Sequence, residues 1–289
     1  MNTDVLNMNR FGRYLVTDIK NAVARFGVSL LVMATISLTG YLLAGFFTLI
    51  VGEGWHSLGV AGRGIMFGIT YLVLVISAPA KIYGFFTDKK EGSEFLMVPA
   101  STLEKTLSMI LVCCVILPLV FFAVYFSLDQ IICLFDRNCG QSLISAFYEN
   151  RANILESFDT LNAASINMMP DVTKISSPWL YVDDMIESLL IFLLGALIFK
   201  SSKPAKTIGC LILISIVLSM IITPIATHGV LEKFKEASSS YMTPQELYDS
   251  FPFLSWTLKH AVLVDTISDT IVNLGLSIAI YFRIKKINH

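Results

Sequence analysis

An all-helical membrane protein that crosses the bilayer several times is the fold class this sequence predicts, and three observations carry it. Hydrophobic residues make up 55% of the 289 positions and charged residues only 15%, whereas an average soluble domain has about 25% charged. Apolar runs of about 20 residues recur along the chain, the length a helix needs to cross roughly 30 Å of hydrocarbon. Lysine and arginine collect in alternate connections between these runs, which fall on one side of the expected membrane. Inside lipid the backbone must satisfy its own hydrogen bonds, so helices are the elements to place.

Residues 1–27 come first. Phe11, Leu15, Ile19, Val23 and Phe26 recur at helical spacing, with Arg10, Arg13, Lys20 and Arg25 mostly off that stripe. The pattern predicts an amphipathic helix, either lying on the inner membrane surface or extending the first span straight into water. Four basic residues precede an apolar run too long for a signal-peptide core, so the first span is expected to be its own targeting signal. Residues 28–128 then hold three spans, Val28 to Val51, Gly64 to Phe86 and Thr106 to Leu128, with a charged segment at 87–105 between the second and third.

Residues 129–184 carry eight acidic and three basic side chains and are expected to form an acidic outer subdomain. Residues 185–289 supply the remaining helices, with an outer insertion at 229–260. Two of these spans are plain, Thr207 to Thr227 and Ala261 to Phe282. Met185 to Phe199 is shorter, about 22 Å at 1.5 Å per residue. It reads as a sixth span if Leu180 to Val182 extend it, with Trp179 and Tyr181 as headgroup anchors, or as a re-entrant or buried helix. Within the insertion, Thr243 with Pro244 and Glu246 marks the start of a short outer helix.

Six spans put both termini on one side. Arg10, Arg13, Lys20, Arg25, Lys81, Lys89, Lys90, Lys105, Lys200, Lys203, Lys206, Arg283, Lys285 and Lys286 then share that side, which are fourteen of the twenty-one basic residues. The positive-inside rule makes it the cytoplasm, and Trp55, Trp179 and Trp256 fall near the outer interface.

Catalytic signatures are sparse. The chain has no GxxxxGK[ST] phosphate loop and no HExxH zinc motif. Gly275-Leu276-Ser277 is a bare GxS of the kind spans use as small packing positions. The expectation is therefore no enzyme, no cofactor and no metal on this chain. Asp265, Asp269 and Asn273 recur every four residues in the last span and so share a face. They are either an outer vestibule or part of a transport pathway. Cys113, Cys114 and Cys210 lie within spans as small packing groups. Cys133 and Cys139 lie in the outer loop and can pair if that side is oxidising, a bridge worth roughly 2–3 kcal/mol in the chain-entropy model.

The segment 88–105, DKKEGSEFLMVPASTLEK, puts seven charges into eighteen positions between two apolar spans. Ser101 and Glu104 spell a capping box that opens the next helix. Before it, Phe95, Leu96, Met97 and Val98 form a compact apolar surface ended by Pro99. Such a surface either contacts a partner or lies on lipid. The run Asp88-Lys89-Lys90-Glu91-Gly92-Ser93-Glu94-Phe95-Leu96, followed by Pro99-Ala100-Ser101, resembles the loop between the second and third spans of ABC transporter permeases of the type-two export class. That resemblance implies a coupling helix, with Glu91, Gly92, Ser93, Glu94, Phe95, Leu96, Met97 and Pro99 docking onto a separate ATP-binding cassette subunit. It also implies a multi-pass subunit of the inner (plasma) membrane that pairs with a second copy or a related permease and acts in export. The outer loop at 129–184 is larger than that family's pattern. A rival reading is a non-transporting membrane sensor or assembly protein whose outer domain binds a ligand.

Overall fold

A computed structural model describes residues 6–52, 54–55, 58–87, 100–136, 139–146, 148, 178–239 and 261–288, and the side chains within these except 178–181, 222–239, 261–265 and 288. All the regular structure among them is helical. In chain order the elements are α1 (Met8–Ala34), α2 (Ile36–Val51), α3 (Val60–Tyr83), α4 (Thr102–Leu111), α5 (Leu117–Phe135), α6 (Pro178–Ile198), α7 (Lys203–Ser239) and α8 (Ala261–Asn288). A 3-10 turn, Gly84–Thr87, extends α3, and a π turn, Val112–Ile116, joins α4 to α5.

Five stretches are long and apolar enough to cross a membrane: Met8–Val51, Val60–Thr87, Thr102–Phe135, Lys203–Ile221 and Thr266–Ile287. They coincide with the five plain spans of the sequence. α6 is the shorter run with the ambiguous reading. It begins at Pro178, which includes the Leu180–Val182 extension, and its 21 residues span about 31 Å at 1.5 Å each. α6 occupies the middle of the bundle against α3, α7, α8 and the π turn. Leu189, Leu190, Leu193 and Leu197 are fully buried there. At Gly195 the bare Cα lets Thr207 of α7 sit against the α6 backbone, where any Cβ would collide with its side chain.

Of the two expected forms of the amino-terminal helix, the structure has the one continuous with the first span: α1 runs without a break through residues 27 and 28, and the interruption falls at Thr35. Its buried stripe is Tyr14, Asp18, Ala22, Phe26, Leu30 and Ala34, rotated from the predicted one, so that Val23 is exposed. The reason is the partner surface. α1 packs its face onto α3 and α4, and Asp18, which hydropathy places outside, is held by hydrogen bonds within that contact.

Local chemistry accounts for the other turns. Gly52, at φ 87°, ends α2 in the left-handed conformation that glycine adopts without a Cβ penalty. Pro118 lacks an N–H and its ring crowds the Cys114 carbonyl, so the helix widens into the π turn just before it. α7 continues past its predicted end at Thr227 to Ser239, because residues 231–238 are rich in Leu, Glu, Lys and Ala, all good helix formers. The predicted helix at Thr243 and residues 149–177 of the acidic subdomain lie outside the described residues. Large apolar side chains point outward on α2 (Leu43, Phe46, Phe47, Ile50) and α7 (Leu213, Ile214, Met220). That is the surface of a bundle solvated by lipid.

Candidate functional site at the base of the charged segment

Residues 88–99, which include every predicted docking residue from Glu91 to Pro99, lie outside the described residues. Both stalks that carry them are described. On the entering side, Tyr83 and Phe86 stack with centroids 6.0 Å apart, and the Arg25 guanidinium covers the Phe85 ring at 3.8 Å. The Thr87 hydroxyl donates to the Phe199 carbonyl at 3.4 Å, and Lys203 Nζ donates to the Gly84 carbonyl. The entering stalk is thereby tied to α1 and to the turn between α6 and α7.

On the leaving side the predicted capping box is present. The Ser101 N–H donates to Glu104 Oε2 at 2.9 Å, and the Glu104 N–H donates to Ser101 Oγ at 3.2 Å. Glu104 does more than cap. Its fully buried carboxylate also accepts Arg10 Nε at 2.7 Å, Arg10 Nη2 at 2.9 Å and the Asn7 N–H at 2.9 Å. A fork-to-fork pair of this kind fixes orientation as well as distance. One turn deeper, Asp18 Oδ2 accepts the Ser108 hydroxyl at 2.6 Å and the Tyr83 hydroxyl at 3.1 Å. These two bonds tie α1, α3 and α4 together directly beneath the segment. Lys105, one of the basic residues expected on the side of the charged segment, is buried at its base. Both stalks that flank 88–99 are thus tied to other helices, the first to α1 and the α6–α7 turn and the second to α1.

These contacts also gather helix ends. The beginnings of α1, α4 and α7 and the ends of α3 and α6 meet at this face, and Arg283 Nε donates to the Leu197 carbonyl at 3.0 Å, bringing the end of α8 there too. Among described side chains, Arg10, Arg25, Lys81, Lys203 and Arg283 belong to this end.

The opposite end holds Arg63, at the start of α3. Its Nη1 lies 2.6 Å from Asp129 Oδ1 of α5, with the two side chains 2% and 1% exposed. Nη2 donates to the Cys139 and Gln141 carbonyls, and Asp129 Oδ2 accepts the Leu143 N–H at 2.7 Å. Nearby, Asp136 accepts the Tyr41 hydroxyl at 2.7 Å and the Trp55 indole N–H at 3.3 Å. Trp55 thus lies at the far end, as expected. The side chains of Trp179 and Trp256 lie outside the description.

Of the predicted pathway stripe, Asp269 and Asn273 are described and the Asp265 side chain is not. Asn273 Nδ2 donates to the Asp183 carbonyl at 3.5 Å, and α8 packs along α6. Among the described residues, no three acidic, histidine or cysteine groups converge to hold a metal ion. Cys133 and Cys139 are unbridged thiols beside Arg63. Burial, with the Cys133 sulfur beside it, pushes the Cys139 thiol up to about 12.

Sequence reasoning found Ser101 and Glu104 but missed Arg10 as the partner, Asp18 as the pin, and the Arg63–Asp129 pair. A signal existed for the last of these, since Arg63 and Asp129 stand one residue outside the predicted limits of two neighbouring spans on the same side.

The fold is that of a helical membrane protein, with its basic helix ends gathered around an anchored charged segment. Compared with known proteins, the chain matches no family model, no curated sequence and no solved structure. The likeness to export permeases therefore rests on the residues of the 88–105 motif.

Proposed function

We propose that this chain is the membrane-spanning subunit of an ABC-type exporter, with α6 as its sixth span and both termini in the cytoplasm of a cell whose inner (plasma) membrane it occupies. A separate ATP-binding subunit engages residues 91–99. Two copies, or this chain and a related permease, complete the transporter, and hydrolysis takes place on the partner. One observation carries the reading: the segment that resembles a coupling helix springs from two stalks that are each fixed to other helices. A freely solvated loop needs no such anchoring, whereas a lever does. Closure of the ATPase subunits on nucleotide presses the segment, and the pinned ends of α3 and α4 tilt with α1, shifting the bundle between two states.

Charge reversal on the apolar surface tests this. Phe95→Glu or Leu96→Glu, in protein that still inserts into the membrane, is expected to abolish co-purification of a P-loop ATPase in mild detergent. An ATPase retained undiminished by both variants, or no ATPase with the parent chain, refutes the proposal.

A further inference from the structure

Cys133 and Cys139 stand apart from the other cysteines in how they are held. Cys133 lies on the last turn of α5, partly exposed, with its sulfur 2.9 Å from Arg63 Nη1 and 3.8 Å from the Gln141 carbonyl. Cys139, six residues on, is 2% exposed, and its carbonyl accepts the other arm of the same guanidinium, Arg63 Nη2, at 3.1 Å.

Backbone hydrogen bonds also link the described residues around the two cysteines. The Asp136 N–H donates to the Ile132 carbonyl at 3.0 Å and the Cys139 N–H to the Asp136 carbonyl at 3.1 Å. Gly140 turns the chain with φ 72°, and Arg63 Nη2 grips the carbonyls on either side of it. One buried guanidinium thus holds the Cys133 sulfur and the Cys139 backbone against the same side chain.

We infer that Cys133 and Cys139 form a dithiol–disulfide pair, with Cys133 the thiol that exchanges with an external disulfide and Cys139 the thiol that closes the ring. The order follows from access, since Cys133 is partly exposed and Cys139 is buried. In the first step Cys133 gives up its proton and its sulfur attacks a disulfide R–S–S–R. This forms Cys133–S–S–R and expels a thiolate that takes up the proton. In the second step Cys139 loses its proton and its sulfur attacks the Cys133 sulfur, forming the intrachain bond and expelling a second RSH. Two thiols are oxidised, one external disulfide is reduced to two thiols, and no other oxidant is needed. Closure takes one sulfur contact from Arg63 and leaves its bonds to Asp129 and to the Cys139 and Gln141 carbonyls in place.

The test uses purified full-length protein and oxidised glutathione, so it is independent of membrane orientation and of any ATPase. Arg137 lies between the two cysteines, so trypsin leaves their peptides joined only by the disulfide. The unreduced digest of the treated parent chain is expected to contain the joined peptides and to lose them on reduction. Joined peptides that never form, while Cys133 accepts glutathione, overturn the pairing. In Cys139→Ser, Cys133 is expected to collect glutathione about tenfold faster than Cys139 does in Cys133→Ser. Equal rates, or a faster Cys139, overturn the assigned order.

Discussion

Replacing Asp129 with alanine leaves the Arg63 guanidinium, 2% exposed, with two carbonyl partners and no counter-charge. It also strips the Leu143 N–H of its acceptor. Breaking a buried ion pair from one side costs about 3–5 kcal/mol, because the remaining charge stays desolvated. For a chain of this size each kcal/mol moves the melting point by about 2–4 °C, so the expected fall is roughly 6–20 °C. Melting in mild detergent, followed by tryptophan fluorescence, reads this directly. Arg63→Met is expected to fall similarly. The double variant Arg63→Met/Asp129→Leu is expected to recover much of the loss, since it removes both desolvated charges together. The reasoning is refuted if Asp129→Ala melts within about 2 °C of the parent, or if the two single effects simply add, since residues in direct contact show a coupling of about 0.5–3 kcal/mol.

Two further expectations follow from single contacts. The Cys139 thiol, pushed up to about 12, stays protonated in the folded chain where an unfolded thiol ionises near about 8.5. Its contribution to stability is therefore whole below the unfolded value and is lost as pH rises toward the folded one. Maleimide labelling of Cys139 in the reduced native protein should be far slower than in the unfolded chain throughout about pH 7.5 to 9.5, and should still climb about tenfold per pH unit near pH 9.5, where the unfolded thiol levels off; native labelling as fast as that of the unfolded chain would disprove the burial. Gly195→Ala drives a Cβ into Thr207 and is expected to cost about 1–3 kcal/mol, as overpacking does. Thr207→Ala in the same chain should restore most of it, measured by the same melt, and a Gly195→Ala protein as stable as the parent would show that α6 and α7 do not meet here.

Much of the helical plan was legible because hydrocarbon imposes a simple rule. Five apolar runs became the five membrane-length stretches, and Ser101 and Glu104 became the capping box, since both depend on local sequence alone. α6 was the ambiguous element, because its apolar run is short and its first half carries Asp183, Asp184 and Glu187. Hydropathy measures similarity to lipid, and α6 is buried chiefly by protein, so length and charge were poor guides to its place. The stripe of α1 was misread for a related reason: helical spacing shows that a face exists, and the surface it meets decides which face is buried.

Composition and periodicity alone determined that the chain is a helical membrane protein, where most of its spans run and where a charged segment interrupts them. Those properties follow from transfer free energy and backbone hydrogen bonding, which each stretch carries by itself. Only the tertiary structure decided that Arg10 reaches Glu104, that Asp18 joins three helices and that Arg63 lies against Asp129 and Cys133. Each of these pairs side chains more than sixty residues apart, and no local rule links them until the helices pack.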